Sequence, residues 1–173
     1  MYDTTTLPTD ISSARVTDES LFSTLTVAIC LHQACRIALA ASGGHTSIYL
    51  VKDYTDIEVI GSTRDDAIGE SFDKIGRLIG LPYPAGRGFD ELSREGFILA
   101  TGDSECFYEK YKKSPSYKDK SMTLPSPALG GDNLDFSFSG LKTAAINLLH
   151  RYDQLGEELP KAQFAARYTF EAV

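Results

Sequence analysis

The chain has 173 residues, of which 42% are apolar and 24% are charged, and its formal net charge at neutral pH is −7. This length supports one domain with a buried core, and this composition is typical of a soluble globular protein. No apolar run reaches the ~18–20 residues that cross a bilayer. A net negative charge is the opposite of a basic nucleic-acid-binding surface, so an RNA contact would need a local basic patch or a partner protein.

The cysteines and histidines form no recognisable pattern. The cysteines are odd in number and lack CxxC spacing, which is typical of reduced thiols in a cytoplasmic protein. No two histidines have the close spacing of a helical ligand pair. The polar N-terminal residues carry no secretion signal. The residues concerned are Cys30, Cys35, Cys106, His32, His45 and His150.

The first predicted elements are strands. Residues 1–20 are rich in Thr, Ser and Asp and indicate a loose lead-in, and residues 24–31 are apolar enough for a buried strand or helix. Three strands then follow, and Gly43-Gly44 makes a tight turn between the first two, which predicts a β-meander. The predicted strands are 36–42, 47–54 and 57–63.

A helix is predicted over 66–80. Thr63 and Asp66 fit a capping box at its start, and Gly80 followed by Pro82 fits its end. Its apolar side chains recur at helical spacing and predict a stripe that packs on the meander. The stripe consists of Ile68, Phe72, Ile75 and Ile79.

The second half of the chain mixes loops and helices. Residues 84–88 predict a turn, with a short helix near Asp90, and residues 100–135 predict a loop-rich insertion with short strands. Ser139 is placed to cap a helix over 140–152, and another helix is predicted to begin near Pro160.

A glycine-rich turn, Ser42–Thr46, is the first candidate binding motif. Glycine lets a backbone approach a ligand closely, and successive N–H groups in such a turn can hold a phosphate or carboxylate. An ordinary hairpin turn explains the same residues, because short glycine-rich turns are weak signals.

An acidic face on the first helix is the second candidate. Helical spacing brings Asp66, Glu70 and Asp73 together, where carboxylates can hold Mg²⁺ through water or bind ligand hydroxyls. A solvated acidic face is the simpler interpretation of these residues alone.

Two further segments place backbone donors near helix ends. Tyr83–Arg87 predicts a stiff turn, and Phe136–Thr143 runs from a strand into a helix whose N-terminus, rich in Gly, Ser and Thr, is typical of an anion site. Phe136 and Phe138 are interpreted as core residues rather than as ligand-stacking groups.

Taken in this order, four segments resemble the signature segments of the tRNA threonylcarbamoyladenosine synthase family, the TsaD or Gcp-like proteins once called O-sialoglycoprotein endopeptidases. The resemblance runs from about Ile37 to Val173. The four segments are Ser42–Thr46, Thr63–Lys74, Leu81–Gly86 and Phe136–Thr143.

The resemblance implies an α/β chain that is part of the actin-like ATPase (Hsp70/sugar-kinase) superfold. It implies transfer of threonylcarbamoyl from threonylcarbamoyl-AMP to N6 of the tRNA adenosine beside the anticodon. The implied partners are tRNA and accessory proteins of the transfer complex (TsaB-, TsaE- or Bud32-like), with no membrane. The implied cofactor is iron or zinc, held by two histidines of an HxxxH helix and a later aspartate.

The resemblance also assigns binding positions. The end of the first predicted strand and the glycine turn match the loop that lines the adenylate and metal site. Asp73 and Gly86 match positions that bind the nucleotide sugar, and Asp90 matches a further binding position. No catalytic side chain is assigned. The implied substrate-binding residues are Ala40, Ala41, Ser42, Gly43, Gly44, Asp73, Gly86 and Asp90.

Several departures from the family pattern shape the expectation for this chain. Residues 1–35 are interpreted as an unmatched lead-in without the HxxxH histidines, and 36–173 as an incomplete domain whose later metal-binding aspartate would lie beyond Val173. Ala41 and Ala85 replace residues usual in the family. We therefore expect the isolated chain to hold no metal and to be inactive.

Two other functions compete with acyl transfer. A non-catalytic remnant that binds a nucleotide or a partner would explain the same motifs without chemistry. A metalloendopeptidase is the third alternative, although no HExxH motif is present.

Overall fold

A computed structural model describes residues 26–31, 36–53, 55–103 and 108–173. Within these ranges four β-strands come first and six α-helices follow. None of the helices described there is both long and apolar enough to span a membrane. The observed class is α/β, as predicted.

The strands form one antiparallel sheet in the order β1-β2-β3-β4. The three predicted strands are confirmed to within one residue at each end, and the apolar segment 24–31 contains a strand that pairs with β2. Ala41 faces Thr46 across the glycine turn. The strands are β1 Thr26–Leu31, β2 Arg36–Ala41, β3 Thr46–Asp53 and β4 Asp56–Ser62.

The helices differ from prediction mainly in the middle of the chain. α2 is a long helix that begins before Asp90, where a turn and a short helix were predicted. Residues 108–122 form short helices and not the predicted short strands. The helices are α1 Ile68–Leu78, α2 Gly86–Thr101, α3 Tyr108–Lys113, α4 Pro115–Lys118, α5 Ser139–Leu155 and α6 Lys161–Ala172, with a 3-10 turn at Lys120–Met122.

The core lies among the helices. Ile75 is fully buried, and the Phe72 ring centroid lies 5.1 Å from that of Phe89 and 5.8 Å from that of Tyr168. The predicted apolar stripe of α1 is confirmed, but its predicted packing on the meander is wrong, because its partners in the core come from α2, α5 and α6. The sheet keeps exposed apolar side chains, namely Ile37, Leu39, Ile57 and Val59.

The start of α1 is fixed from a distance. Ala67 precedes the helix and provides no side-chain cap. The buried Thr46 hydroxyl on β3 accepts the N–H of Ile68 at 2.9 Å, while the Thr63 hydroxyl donates to the Asp66 carbonyl at 2.8 Å. The predicted capping box is therefore wrong, because a threonine from the sheet satisfies the helix N–H that the local residues leave open.

Helices α2 and α6 pack closely at a glycine. A Cβ placed on Gly96 would lie 2.0 Å from the Ala162 carbonyl oxygen and 2.8 Å from the Ala166 Cβ. Nearby, the Ser93 hydroxyl lies 2.7 Å from the Thr169 hydroxyl. The absence of a side chain at one position thus sets the separation of the two helices.

Candidate functional site

The glycine turn that joins β2 to β3 is closed by its own serine. The Ser42 hydroxyl oxygen accepts from the N–H groups of Gly44 and His45 at 3.2 and 2.9 Å, and the Ser42 N–H donates to the His45 carbonyl at 2.8 Å. Gly43, Gly44 and His45 are exposed. The turn therefore holds one shape while it presents two glycines, which place no side chain in the way of a ligand.

The first turn of α1 contacts this glycine turn directly. The N–H of Gly69 donates to the Ser42 carbonyl at 3.2 Å. A Cβ on Gly69 would lie 2.8 Å from that carbonyl oxygen and 2.9 Å from the Gly43 Cα. Because both neighbours are backbone atoms, a larger residue at 69 would move the turn away from the helix.

Asp73 of α1 shapes the loop that leads into α2. Its Oδ1 accepts the N–H of Ala85 at 2.7 Å, and the buried Ala85 immediately precedes Gly86, the first residue of α2. A carboxylate at this position satisfies a backbone donor that the helix leaves unpaired. This contact explains why α2 begins at Gly86. The Tyr83–Pro84 peptide bond in the same loop is cis.

A cleft of about 680 Å³ opens between the glycine turn and the outward face of α1. Ligand pockets are commonly ~300–1,000 Å³ in volume. The lining residues come from the turn, from α1 and from the loop before α2. They are Ser42, Gly43, Gly44, His45, Glu70, Asp73, Lys74, Arg77 and Tyr83.

Charges of both signs line the cleft. The Lys74 ammonium lies 2.9 Å from carboxylate oxygens of Glu70 and Asp66, and these bonds, Glu70 first, raise the pKa of Lys74 above its usual value. Arg77 is exposed and forms no ion pair within the described ranges. Lys74 is therefore engaged by carboxylates, whereas Arg77 remains available to an anionic ligand.

Half of the residues that the resemblance assigns to substrate binding lie together along this cleft. Their binding roles stay predictions. However, they come from segments that are separated in sequence, and a shared site requires that such segments lie together. The four are Ser42, Gly43, Gly44 and Asp73.

The other four assigned residues lie outside the cleft lining. Ala40 and Ala41 end β2 and lead into the glycine turn. Gly86 follows Ala85, whose N–H donates a hydrogen bond to Asp73. Asp90 is exposed on α2. Arg77 lines the cleft without having been assigned a role, although its position four residues after Asp73 on the polar face of α1 was a usable signal.

The sequence predicts that the N-terminus of α5 is capped by Ser139 and can bind an anion. In the structure, the carboxylate of Asp65 occupies this position. Asp65 Oδ1 accepts the N–H of Phe138 at 2.9 Å. Lys142 pairs with Asp66, and this bond is the main cause of the lowered pKa of Asp66. The predicted Ser139 cap is wrong, because the helix start has no side-chain cap of its own and a distant carboxylate replaces it.

The described residues do not fit an iron or zinc site. Within those ranges, no three His, Cys, Asp or Glu side chains are grouped so that they could hold an ion. His45 lines the cleft, His150 is exposed on α5, and His32 lies outside the described residues. A firm site needs several converging protein ligands, so no reaction step can be assigned to a metal here.

Comparisons with known proteins converge on one family. Residues 22–172 match the family TsaD, tRNA N6-adenosine threonylcarbamoyltransferase. Proteins of that name from Streptococcus suis and Lactobacillus delbrueckii subsp. bulgaricus are 43% and 44% identical over 132 residues, which is 76% of this chain. A Moorella thermoacetica protein of the same name is 40% identical over an equal span. The matched region covers about a third of each relative, 32–33% of its length.

Proposed function

The chain belongs to the TsaD family of tRNA N6-adenosine threonylcarbamoyltransferases, and from this premise we propose that it forms one wall of a site for threonylcarbamoyl-AMP. The observation that supports this proposal most is the cleft between the glycine turn and α1. The cleft is lined by the glycine backbone of the turn, the Asp73 carboxylate and the Arg77 guanidinium. The glycines leave room for a nucleoside, the carboxylate suits its hydroxyls, and the guanidinium suits its phosphate.

Each group has a distinct role in this proposal. Asp73 uses one oxygen to bind the Ala85 N–H, which leaves the other to accept from ribose hydroxyls. Arg77 pairs with the phosphate, since a guanidinium matches phosphate geometry. Gly43 and Gly44 let the ligand approach the turn. The Gly44 N–H already donates to Ser42, so it can stabilise developing negative charge only after a ligand displaces that bond.

The proposed reaction is an acyl transfer. The exocyclic amine of a tRNA adenosine attacks the carbonyl carbon of the threonylcarbamoyl group, so that a new C–N bond forms. The bond from that carbon to the phosphate oxygen breaks, AMP leaves with the electron pair, and the amine proton passes to solvent. The residues of this chain bind and orient the adenylate, which raises the rate by positioning.

The wider setting is proposed on the same premise. The α/β arrangement of an antiparallel sheet and helices supports membership of the actin-like ATPase superfold. The proposed partners are tRNA and accessory proteins of the TsaB, TsaE or Bud32 type, in the cytoplasm.

We also propose that this chain holds neither iron nor zinc firmly by itself. The support is the lack of a three-ligand group in the described part of the chain. After dialysis against a chelator and reloading, elemental analysis of the purified chain should find well under one metal ion per chain. A stoichiometric ion would contradict the proposal and would indicate ligands outside the described residues. If the proposal holds, the isolated chain binds the adenylate without transferring its acyl group.

The test of the cleft is the substitution Asp73→Asn. Asparagine keeps an oxygen that can accept the Ala85 N–H, but it removes the negative charge and halves the acceptor capacity. We expect binding of AMP, or of a non-hydrolysable threonylcarbamoyl-adenylate analogue, to weaken about tenfold or more, because hydrogen bonds to charged groups contribute ~1.5–3 kcal/mol. Isothermal titration calorimetry measures the affinity, and urea unfolding is expected to show little change.

Asp153→Asn is the matched control for this test. The substitution is chemically identical, and Asp153 is exposed on α5 outside the cleft lining and was assigned no binding role. We expect the Asp153 variant to bind as the unchanged chain does. Equal loss of affinity in both variants, or loss of stability equal to loss of affinity at Asp73, would contradict the assignment of the cleft.

A further inference from the structure

The lysines of this acidic chain are concentrated in one place. Five of the nine lysines fall within residues 110–120, although the net charge of the whole chain is −7. All five are exposed on α3, α4 and the 3-10 turn after them. We call this surface the lysine ridge, and it consists of Lys110, Lys112, Lys113, Lys118 and Lys120.

The underside of the lysine ridge is fixed in the core. Tyr111 is 1% exposed, and its ring centroid lies 4.8 Å from that of Phe97 and 5.2 Å from that of Phe170. Ser114 is also buried, and its hydroxyl accepts the N–H of Tyr117 to begin α4. The lysines therefore project from a surface whose backbone is held in place, and not from a free loop.

A buried arginine strengthens this attachment. Arg167 of α6 donates to the Tyr117 carbonyl at 2.5 Å, and its guanidinium carbon lies 4.2 Å from the Tyr117 ring centroid. Both contacts join the short helix α4 to the long helix α6. The positive charge of Arg167 points inward, whereas the lysines point outward.

The acids within the lysine ridge do not neutralise it. In sequence, Asp119 lies among the five lysines and Glu109 precedes them. The charge of Lys112 also acts on Glu171 of α6, where it opposes the rise in pKa that burial causes. The Asp119 carboxylate accepts the N–H of Ser121, which lowers the pKa of Asp119. Of the five lysines, Lys110 pairs with Asp103. The other four form no ion pair within the described part of the chain, so they can meet an external anion.

We propose that the lysine ridge binds the phosphate backbone of tRNA and docks the substrate outside the adenylate cleft, whose lining includes none of these lysines. This inference rests on the proposed function for the identity of the polyanion. The chain is otherwise acidic, so a local basic surface is what an RNA contact requires. Among the described side chains of the ridge, the large apolar ones are packed inward, which disfavours insertion into a bilayer.

The experiment compares three variants with the unchanged full chain by fluorescence anisotropy, using a labelled, unmodified tRNA transcript. The first variant removes four charges of the ridge, the second replaces the same lysines with arginine, and the control removes four charges elsewhere on the surface. Circular dichroism checks that each variant is folded. The neutral variant carries Lys→Gln at 112, 113, 118 and 120, and the control carries Lys52→Gln, Arg94→Gln, Arg151→Gln and Lys161→Gln.

We expect the neutral variant to bind tRNA at least about tenfold more weakly than the unchanged chain at about 100 mM salt. The slope of log affinity against log salt should fall in magnitude by about 3.6 if all four lysines contact phosphates, since each phosphate contact contributes about 0.9 for a duplex. The arginine variant should bind as tightly as the unchanged chain, and the control should stay within about threefold of it.

Three results would overturn the proposal. The first is an equal loss of affinity in the neutral variant and the control, which would indicate a general effect of net charge. The second is a loss of binding to vesicles of anionic lipid or to a polyglutamate peptide in the neutral variant while its tRNA binding is unchanged. The third is a failure of the unchanged chain to bind tRNA at all. Adenylate binding to the neutral variant is measured separately, so a failure of the cleft proposal is distinguishable from a failure of the ridge.

Discussion

Replacing Gly96 with alanine is expected to lower the free energy of unfolding by about 3 kcal/mol, near the upper end of what overpacking usually costs. The added Cβ would lie 2.0 Å from the carbonyl oxygen of Ala162 and 2.6 Å from its carbonyl carbon. Backbone atoms of α6 cannot rotate away, so the two helices must separate. This cost outweighs the ~1 kcal/mol by which alanine favours a helix over glycine.

Gly140→Ala is the matched control for this prediction. Gly140 is also helical, in α5, and a Cβ there would meet nothing within 4 Å. We expect this variant to be as stable as the unchanged chain or slightly more stable. Urea unfolding followed by circular dichroism measures both free energies. A Gly96 variant with unchanged stability would mean that α2 and α6 do not pack as closely as the structure places them.

Arg167→Ala is expected to destabilise the chain by about 3–5 kcal/mol, because it removes one partner of a buried ion pair. Arg167 Nη2 lies 3.0 Å from the Glu171 carboxylate, and the two side chains are 7% and 11% exposed. Alanine would leave the Glu171 charge and the Tyr117 carbonyl without this partner. Arg167 Nε has no hydrogen-bond partner among the described atoms, so the native pair is itself imperfectly satisfied.

The double variant Arg167→Met and Glu171→Met distinguishes the contribution of the ion pair to stability from the contribution of side-chain packing. Removing both charges together leaves no unpaired ion, and methionine fills much of the same volume. We expect the double variant to be clearly more stable than Arg167→Ala in urea unfolding. If the single and double variants unfolded alike, the ion pair would not be the source of the effect.

Glu171 adds a pH dependence to this prediction. Burial raises the pKa of Glu171 above its usual 4.5, and Arg167 opposes that rise. Without the arginine, the folded chain should hold this proton to still higher pH. An acid whose folded pKa is raised lowers stability as pH rises from its unfolded value through its folded value. The loss of unfolding free energy in Arg167→Ala should therefore be smaller at about pH 4 than at about pH 7.

Local patterns predicted most of the regular structure. The strands around the glycine turn follow from alternating apolar residues and turn chemistry, and the α1 stripe through Ile75 follows from helical periodicity. Both depend on neighbours in sequence. The partner of that stripe was not predictable in this way, because periodicity defines an apolar face without naming what covers it.

Contacts between distant residues account for the errors. Thr46 satisfies the start of α1 from 22 residues away, and Asp65 satisfies the start of α5 from 73 residues away. In each case a local capping residue was predicted and a distant side chain takes its place. Likewise, Asp73 accepts the N–H of Ala85, and α2 begins at Gly86, inside the segment 84–88 that was predicted to be a turn.

The candidate site was predictable only through the combination of motifs. Acidic residues and a glycine turn are each weak signals, and the resemblance joined them into a nucleotide site. The structure places Asp73 along the same cleft as Gly43 and Gly44, which no spacing rule specifies. Gly69 lets the glycine turn pack against α1, because a side chain there would collide with the Ser42 carbonyl. This contact cannot be recognised from the sequence.

The contacts of Asp65 and Asp66 with the start of α5 hold the segment before α1 against α5 without using any residue of the lysine ridge. The five lysines of the ridge are exposed, and substitutions on an exposed surface usually change stability by less than about 0.5 kcal/mol. None of these lysines lines the adenylate cleft. Selection for a new polyanionic partner can therefore change the charge of the ridge while the fold and the cleft stay as they are.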